Sequence, residues 1–250
     1  MHYIWIIWAH EAFYKYEPRA NKYDMYMKIK DWRAWESKDL PSEEIEKLFN
    51  FIRSWDYHFK GDVEKFKEKY RKIFDAINDL KNKNIIDINI RKYRSKIRRI
   101  FDEIADCTLT GRYESTDASK ILHTILPNLF VMWDRNIRRG YLGNPNNKEG
   151  YYYAYKFLPI IQRNLISIIK SYINDHEKRD SKVAINVIQT KCDGKSPPKL
   201  IDEFNYMTYT MPEYFLEYLD VIRGDVQMRY LNLYKKLRQK LNHQKKWKIL

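Results

Sequence analysis

Seven apolar residues between Val63 and Leu80 recur at the spacing of one helix face. Val63, Phe66, Tyr70, Ile73, Phe74, Ile77 and Leu80 follow the i, i+3, i+7 rule closely. That period lines up one stripe of a helix and would scatter the same residues over both faces of a strand. The segment must therefore pair its stripe with other apolar surfaces. Glycine (7) and proline (8) are scarce in the 250 residues. Few turn-formers mean long elements and few tight hairpins, which again favours helices.

Further helices follow from the same signals. Ser42 has the character of an N-cap ahead of Glu43 and Glu44, with Leu48, Phe49, Ile52 and Trp55 at helical spacing. A third helix is expected over Ile90–Cys107, and a short one from Ala118 to Leu126, closed by Pro127. Asp134 is placed to cap a helix reaching about Tyr141, and a long helix starts near Leu158 with Pro159 in its first turn. A helix starting near Pro198 and a final one from Pro212 through Leu241 complete the set. Ile4–Tyr16 and Val183–Ile188 read equally as strand or helix. The expected fold is all-α, or mainly α with a minor strand pair: a compact multi-helix bundle. One domain over 1–250 is expected, with the loop 143–147 as the place for a subdivision near 143–150. Residues 226–250 form a basic C-terminal helix or tail.

The chain carries 47 Lys and Arg against 33 Asp and Glu, a net charge of +14. Charge of this size speaks to partners, and polyanions are the usual ones. A compositional origin, such as an AT-rich genome or a hot habitat, is the alternative. Two cysteines, Cys107 and Cys192, show no metal or redox spacing, so a reducing, cytoplasmic location is expected. No run approaches the about 20 apolar residues of a membrane span. There is no glycine-rich phosphate loop, no GxSxG and no paired histidine motif, so no cofactor or metal is expected.

The basic residues cluster. Arg91, Lys92, Arg94, Lys96, Arg98 and Arg99 crowd one segment, without an acid among them. Such a stripe suits phosphate tracking, though a solvated face has the same look. Arg135, Arg138 and Arg139 form a second group, and no acid follows Asp225. Beside the second group lies the segment most suggestive of chemistry: Asp117-Ala118-Ser119-Lys120-Ile121-Leu122-His123, then Leu129 to Ile137 with Asp134 inside it. Lys120 near a helix start feels the positive end of the dipole, which favours its neutral, nucleophilic amine. A carboxylate such as Asp134 can stabilise positive charge building on a sugar. Trp133 and Tyr151 are candidates to stack against an extruded base. In the bland alternative Lys120 is a surface residue, Asp134 a cap and Trp133 core.

Over residues 111–141 this pattern resembles the active site of the helix-hairpin-helix/Gly-Pro-Asp DNA glycosylase superfamily. The resemblance implies a base-excision glycosylase or lyase, with Lys120 as the Schiff-base nucleophile and Asp134 as the catalytic carboxylate. The residues alone leave two further readings open: a non-enzymatic binder of DNA or RNA, and an interaction protein whose charge is compositional. DNA is the first expected partner and RNA the second.

Overall fold

The computed structural model describes residues 1–144, 146–177 and 180–249, the side chains of 247–249 excepted. It is helical throughout. In chain order the helices are α1 (Tyr3–Tyr16), α2 (Ala20–Ile29), α3 (Ser42–Trp55), α4 (Val63–Leu80), α5 (Ile90–Ala105), α6 (Ser115–Ile125) and α7 (Arg135–Leu142). They continue as α8 (Gly150–Tyr152), α9 (Leu158–His176), α10 (Ser181–Thr190), α11 (Pro197–Asn205), α12 (Pro212–Val221) and α13 (Leu231–Ile249). Two π-helical turns, Tyr153–Phe157 and Tyr206–Thr210, join α8 to α9 and follow α11. Among the described residues there is no strand, only a single antiparallel bridge between Gly61 and Thr108. Both ambiguous segments, Ile4–Tyr16 and Val183–Ile188, are helical.

Several boundaries differ from expectation for local reasons. Ser42 is the first helical residue, and Pro41, in extended conformation, holds the cap position. α6 starts at Ser115, because the Glu114 carbonyl already accepts the Ala118 N–H at 3.0 Å. The expected long final helix is broken: 3-10 turns at Arg223–Asp225 and Met228–Tyr230 separate α12 from α13. Gly224 lies at this break, where its backbone freedom weakens helical continuation. Pro145 of the loop 143–147 and the Lys248 side chain of the basic tail lie outside the described residues.

The chain groups into two compact units. The continuous one comprises 19–162. Its core is built from the stripe of α4, where Phe66, Tyr70, Ile73, Ile77 and Leu80 are buried, against α3 and α5. His123 on α6 is wholly enclosed. Its Nδ1 lies 2.7 Å from the Phe130 carbonyl, so that nitrogen donates, and Nε2 accepts from the Tyr23 hydroxyl at 2.9 Å. Lys30 is also buried. Its amine donates to the Thr124 carbonyl and lies 4.0 Å and 4.7 Å from the ring centroids of Trp32 and Trp35. Burial lowers its pKa to about 7, against the opposing pull of Glu44.

The second unit comprises 1–18 with 163–250. Here α1 packs on α11 and α12. Four ionisable side chains meet in its interior. Lys199 Nζ lies 3.2 Å from Asp202 and 3.6 Å from Glu203, and His10 Nδ1 lies 2.7 Å from Glu203. Burial opposes protonation of His10, but Glu203 and Asp193 outweigh it and raise its pKa. Lys199 and His10 thus share Glu203, with Asp202 and the more exposed Asp193 as their further carboxylate partners.

Two outcomes follow. Lys199→Ala strands Asp202 and Glu203 with one cation fewer. It should lower unfolding free energy in urea by about 3–5 kcal/mol, and a loss under about 1 kcal/mol would show the cluster is hydrated. The Lys30 effect has a sign. Between about pH 7 and its ordinary 10.5 the folded state has released a proton that the unfolded chain retains, so stability rises with pH. From pH 7 to 9 the native protein should gain about 2 kcal/mol relative to Lys30→Met in urea titrations. A constant difference between the two would contradict it.

Candidate nucleic-acid interface

α5 is capped by Asn89, whose side chain accepts the Lys92 N–H at 3.3 Å. Its inner face, Ile90, Ile97, Ile100, Phe101 and Ile104, is buried. At about 100° per residue, the six basic residues fall into two stripes on the outer face. Arg91, Arg94 and Arg98 form one; Lys92, Lys96 and Arg99 form the other. All are exposed except Lys96, which is half-buried.

The second stripe faces α4. Lys96 is ion-paired with Asp79, and the Arg99 guanidinium donates to the Lys72 carbonyl at 3.2 Å. Lys92 and Lys96 each place their amine 5.7 Å from the Tyr93 ring, and Lys83 joins them at 5.8 Å. Two of the six cations are matched by carboxylates, Lys96 by Asp79 and Arg98 by Asp102 at 3.4 Å. Arg91, Lys92, Arg94 and Arg99 have no such match among the described residues.

The first stripe lies against tyrosines. The Tyr151 and Tyr155 rings stack at 4.6 Å and 21°. The Arg94 guanidinium sits 4.7 Å from the Tyr155 ring and that of Arg98 5.9 Å from Tyr151. The Tyr155 hydroxyl is 2.9 Å from the Ser95 Oγ. An arginine plane over an aromatic face is attracted by the ring quadrupole and keeps its donors outward.

Two anchors hold the tyrosines there. Gly150 N–H donates to Asp102 Oδ1 at 2.9 Å, and the Tyr113 hydroxyl donates to the same oxygen at 2.5 Å. Burial, then the Asp102 carboxylate, raises the Tyr113 pKa. A Cβ on Gly150 would lie 2.5 Å from Asp102 Oδ1 and 2.9 Å from the Arg98 carbonyl, so only glycine fits. Deeper, the Tyr153 hydroxyl donates to the Val131 carbonyl at 2.6 Å and accepts the Val131 N–H at 3.0 Å. Its ring stacks on Phe101 of α5 at 4.4 Å.

The remaining expected site residues sit around α6 and α7. Lys120 Nζ is ion-paired with Asp117 at 3.0 Å, with both side chains largely enclosed. Burial raises the Asp117 pKa, and Lys120 opposes that rise. Asp134 caps α7, accepting the Ile137 N–H at 2.7 Å. A depression of about 700 Å³ is lined by Asp56, His58, Lys60, Arg112 and Asp117, among others, but not by Lys120 or Asp134. Trp133 is 1% exposed, its indole N–H donating to the Ser115 carbonyl and its ring edge-on to Phe101 and Tyr153. Arg138 is 3% exposed; it donates to the Ser115 and Thr116 hydroxyls, and burial lowers its pKa. Arg135 and Arg139 face solvent.

The basic C-terminal region divides similarly. Arg238 is ion-paired with Asp220, and Lys240, between the rings of Phe204 and Tyr209, has its pKa lowered to about 8 by burial. Lys235, Lys236, Lys245 and Lys246 are exposed. Among the described residues no group of three His, Cys, Asp or Glu side chains could hold a metal ion, and no helix is long and apolar enough to cross a membrane.

Tyr155 joins Tyr151 on this face, and the i, i+4 relation between the two was the signal the sequence offered. Comparison with known protein families, with curated proteins and with solved structures finds no match for this chain.

Gly150→Ala tests the anchoring. The added methyl must displace the Asp102 carboxylate or the α5 backbone, at a cost of about 1–3 kcal/mol for an overpacked site. Thermal unfolding should shift down accordingly. An unchanged midpoint would mean α8 is not tightly seated on α5.

Proposed function

We propose that the protein binds nucleic acid, DNA or RNA, through the outer face of α5. The observation that carries the proposal is the pairing of unmatched cations with stacked tyrosines. Arg91, Lys92, Arg94 and Arg99 project from one helix face without carboxylate partners, and Arg94 lies on the Tyr155 ring beside Tyr151. Cations spaced along a helix neutralise successive phosphates. Tyrosine faces beside them offer stacking surface to bases. Arg135 and Arg139 add exposed charge in the same unit. This reading asks only for binding. Lys120 and Asp134 are each engaged within the fold, as an ion-pair partner and as a helix cap, so no reaction step is assigned to them.

Fluorescence anisotropy with labelled 20-nucleotide strands and duplexes over a salt series checks it. Four unmatched cations predict a slope of log affinity on log salt of about −3 for single strands and about −3.6 for duplexes. Arg91→Gln/Arg94→Gln should flatten that slope by about 1.4 to 1.8 and weaken binding regardless of sequence. No binding at 50 mM salt, or an unaltered slope in the double variant, overturns the reading and leaves a protein whose charge is compositional.

A further inference from the structure

A second feature of the continuous unit has no role in the basic face. A cleft of about 340 Å³ opens between the Trp32–Glu36 segment, the end of α4 and the chain around Pro127. Its size lies in the range of about 300–1,000 Å³ typical of small-ligand clefts. Trp32, Trp35 and Phe74 supply its aromatic walls, and Asn78, Asn82 and Asn128 its polar ones.

The aromatic walls are held in place. Trp35 meets Tyr70 edge-on at 5.7 Å and Phe66 at 6.2 Å, and the Tyr70 hydroxyl donates to the Trp35 carbonyl at 2.6 Å. Buried Lys30, which does not line the cleft, lies against both tryptophans. Trp32 is nevertheless 42% exposed, and no ring packs on it among the described residues. The indole is thus fixed by the buried cation yet left partly open to solvent. The indole N–H of Trp35 is enclosed and meets no acceptor among the described residues.

The polar walls specify the chemistry. The side-chain amides of Asn78, Asn82 and Asn128 make no hydrogen bond within the described residues. Each offers a donor pair and an acceptor, the groups that read the edge of a nucleobase. A greasy peptide or acyl chain would leave them unmatched. Lys83 and the ion pair of Lys81 with Glu36 complete the rim. Lys83 also lies over Tyr93, which Lys92 and Lys96 of α5 flank. Lys83 of the cleft rim thus shares the Tyr93 ring with two cations of the basic face.

We propose that this cleft takes one unpaired nucleobase of a strand whose phosphates follow α5, the base stacking on Trp32 and its edge meeting the asparagine amides. The inference rests on the nucleic-acid reading and makes the protein selective for single-stranded or locally opened substrate.

Anisotropy with three probes of near-equal phosphate count tests it: a 20-nucleotide single strand, the same sugar-phosphate chain without bases, and a 10-base-pair duplex. The native protein should bind the single strand at least about tenfold more tightly than the abasic chain. Trp32→Ala should lower single-strand affinity by about 5- to 100-fold while leaving abasic-chain affinity and the salt slope unchanged. Trp32→Phe should restore most of the loss. Asn128→Ala, at an exposed position, should weaken the single strand alone. Equal affinity for all three probes, or no effect of Trp32→Ala, overturns this inference and spares the basic-face reading. Failure to bind any probe overturns both.

Discussion

The continuous unit depends on one aromatic junction. Tyr153 stacks on Phe101, meets Trp133 edge-on at 5.0 Å and closes two hydrogen bonds with Val131. Through these rings α5, the extended stretch after α6 and the π-helical turn are fastened at one point. Each ring removes a large apolar area from water, and the phenol satisfies a backbone pair that would otherwise be stranded. The outer features follow from it. With Tyr153 turned inward, Tyr151 and Tyr155 are left beside the arginines of α5. Trp133, an obvious stacking residue by type, is consumed by the junction itself.

Charge on this protein has to be read residue by residue. The excess of basic residues is large, but acids on neighbouring elements neutralise part of it: Asp79 takes Lys96, Asp102 takes Arg98 and Asp220 takes Arg238. Others are withdrawn altogether. Lys30, Lys199 and Arg138 are buried, the last holding two hydroxyls near the start of α6. What remains for a partner is a short set of cations whose positions matter more than their number. Exposed ion pairs contribute little to stability, so the unmatched cations are the ones free to act on a polyanion.

The helices were legible because their apolar stripes are long. α4 and α5 each run four turns or more, and of the stripe named for α4, Phe66, Tyr70, Ile73, Ile77 and Leu80 are buried and Val63 and Phe74 partly so. Asp62 and Asp134 cap α4 and α7, as a carboxylate ahead of a periodic run suggests. Ends governed by neighbours were harder. Pro41 displaced Ser42 from its cap, and α6 gained a turn through Glu114. The site was half legible. The basic run was plain, but which cations carry acids on other elements is a tertiary fact. Arg138 sits three residues from Arg135, and burial separates their roles. The Trp32 cleft left only a faint trace, two tryptophans three apart near a lysine. Its depth comes from α4 and the Pro127 chain, which are distant in sequence.

The π-helical turn at Tyr153–Phe157 carries a last consequence. Such a turn holds one residue more than an α-helical turn would. Removing one residue here would restore a regular helix and turn Tyr153 by about 100° relative to the residues that follow the turn within the continuous unit. Tyr153 would then leave the junction, and the Tyr151–Tyr155 stack would leave α5 together with it. The segment is thus far more sensitive to a change of length than to a change of side chain. Among relatives of this protein, a gap at this point would mark a different surface more reliably than any single substitution.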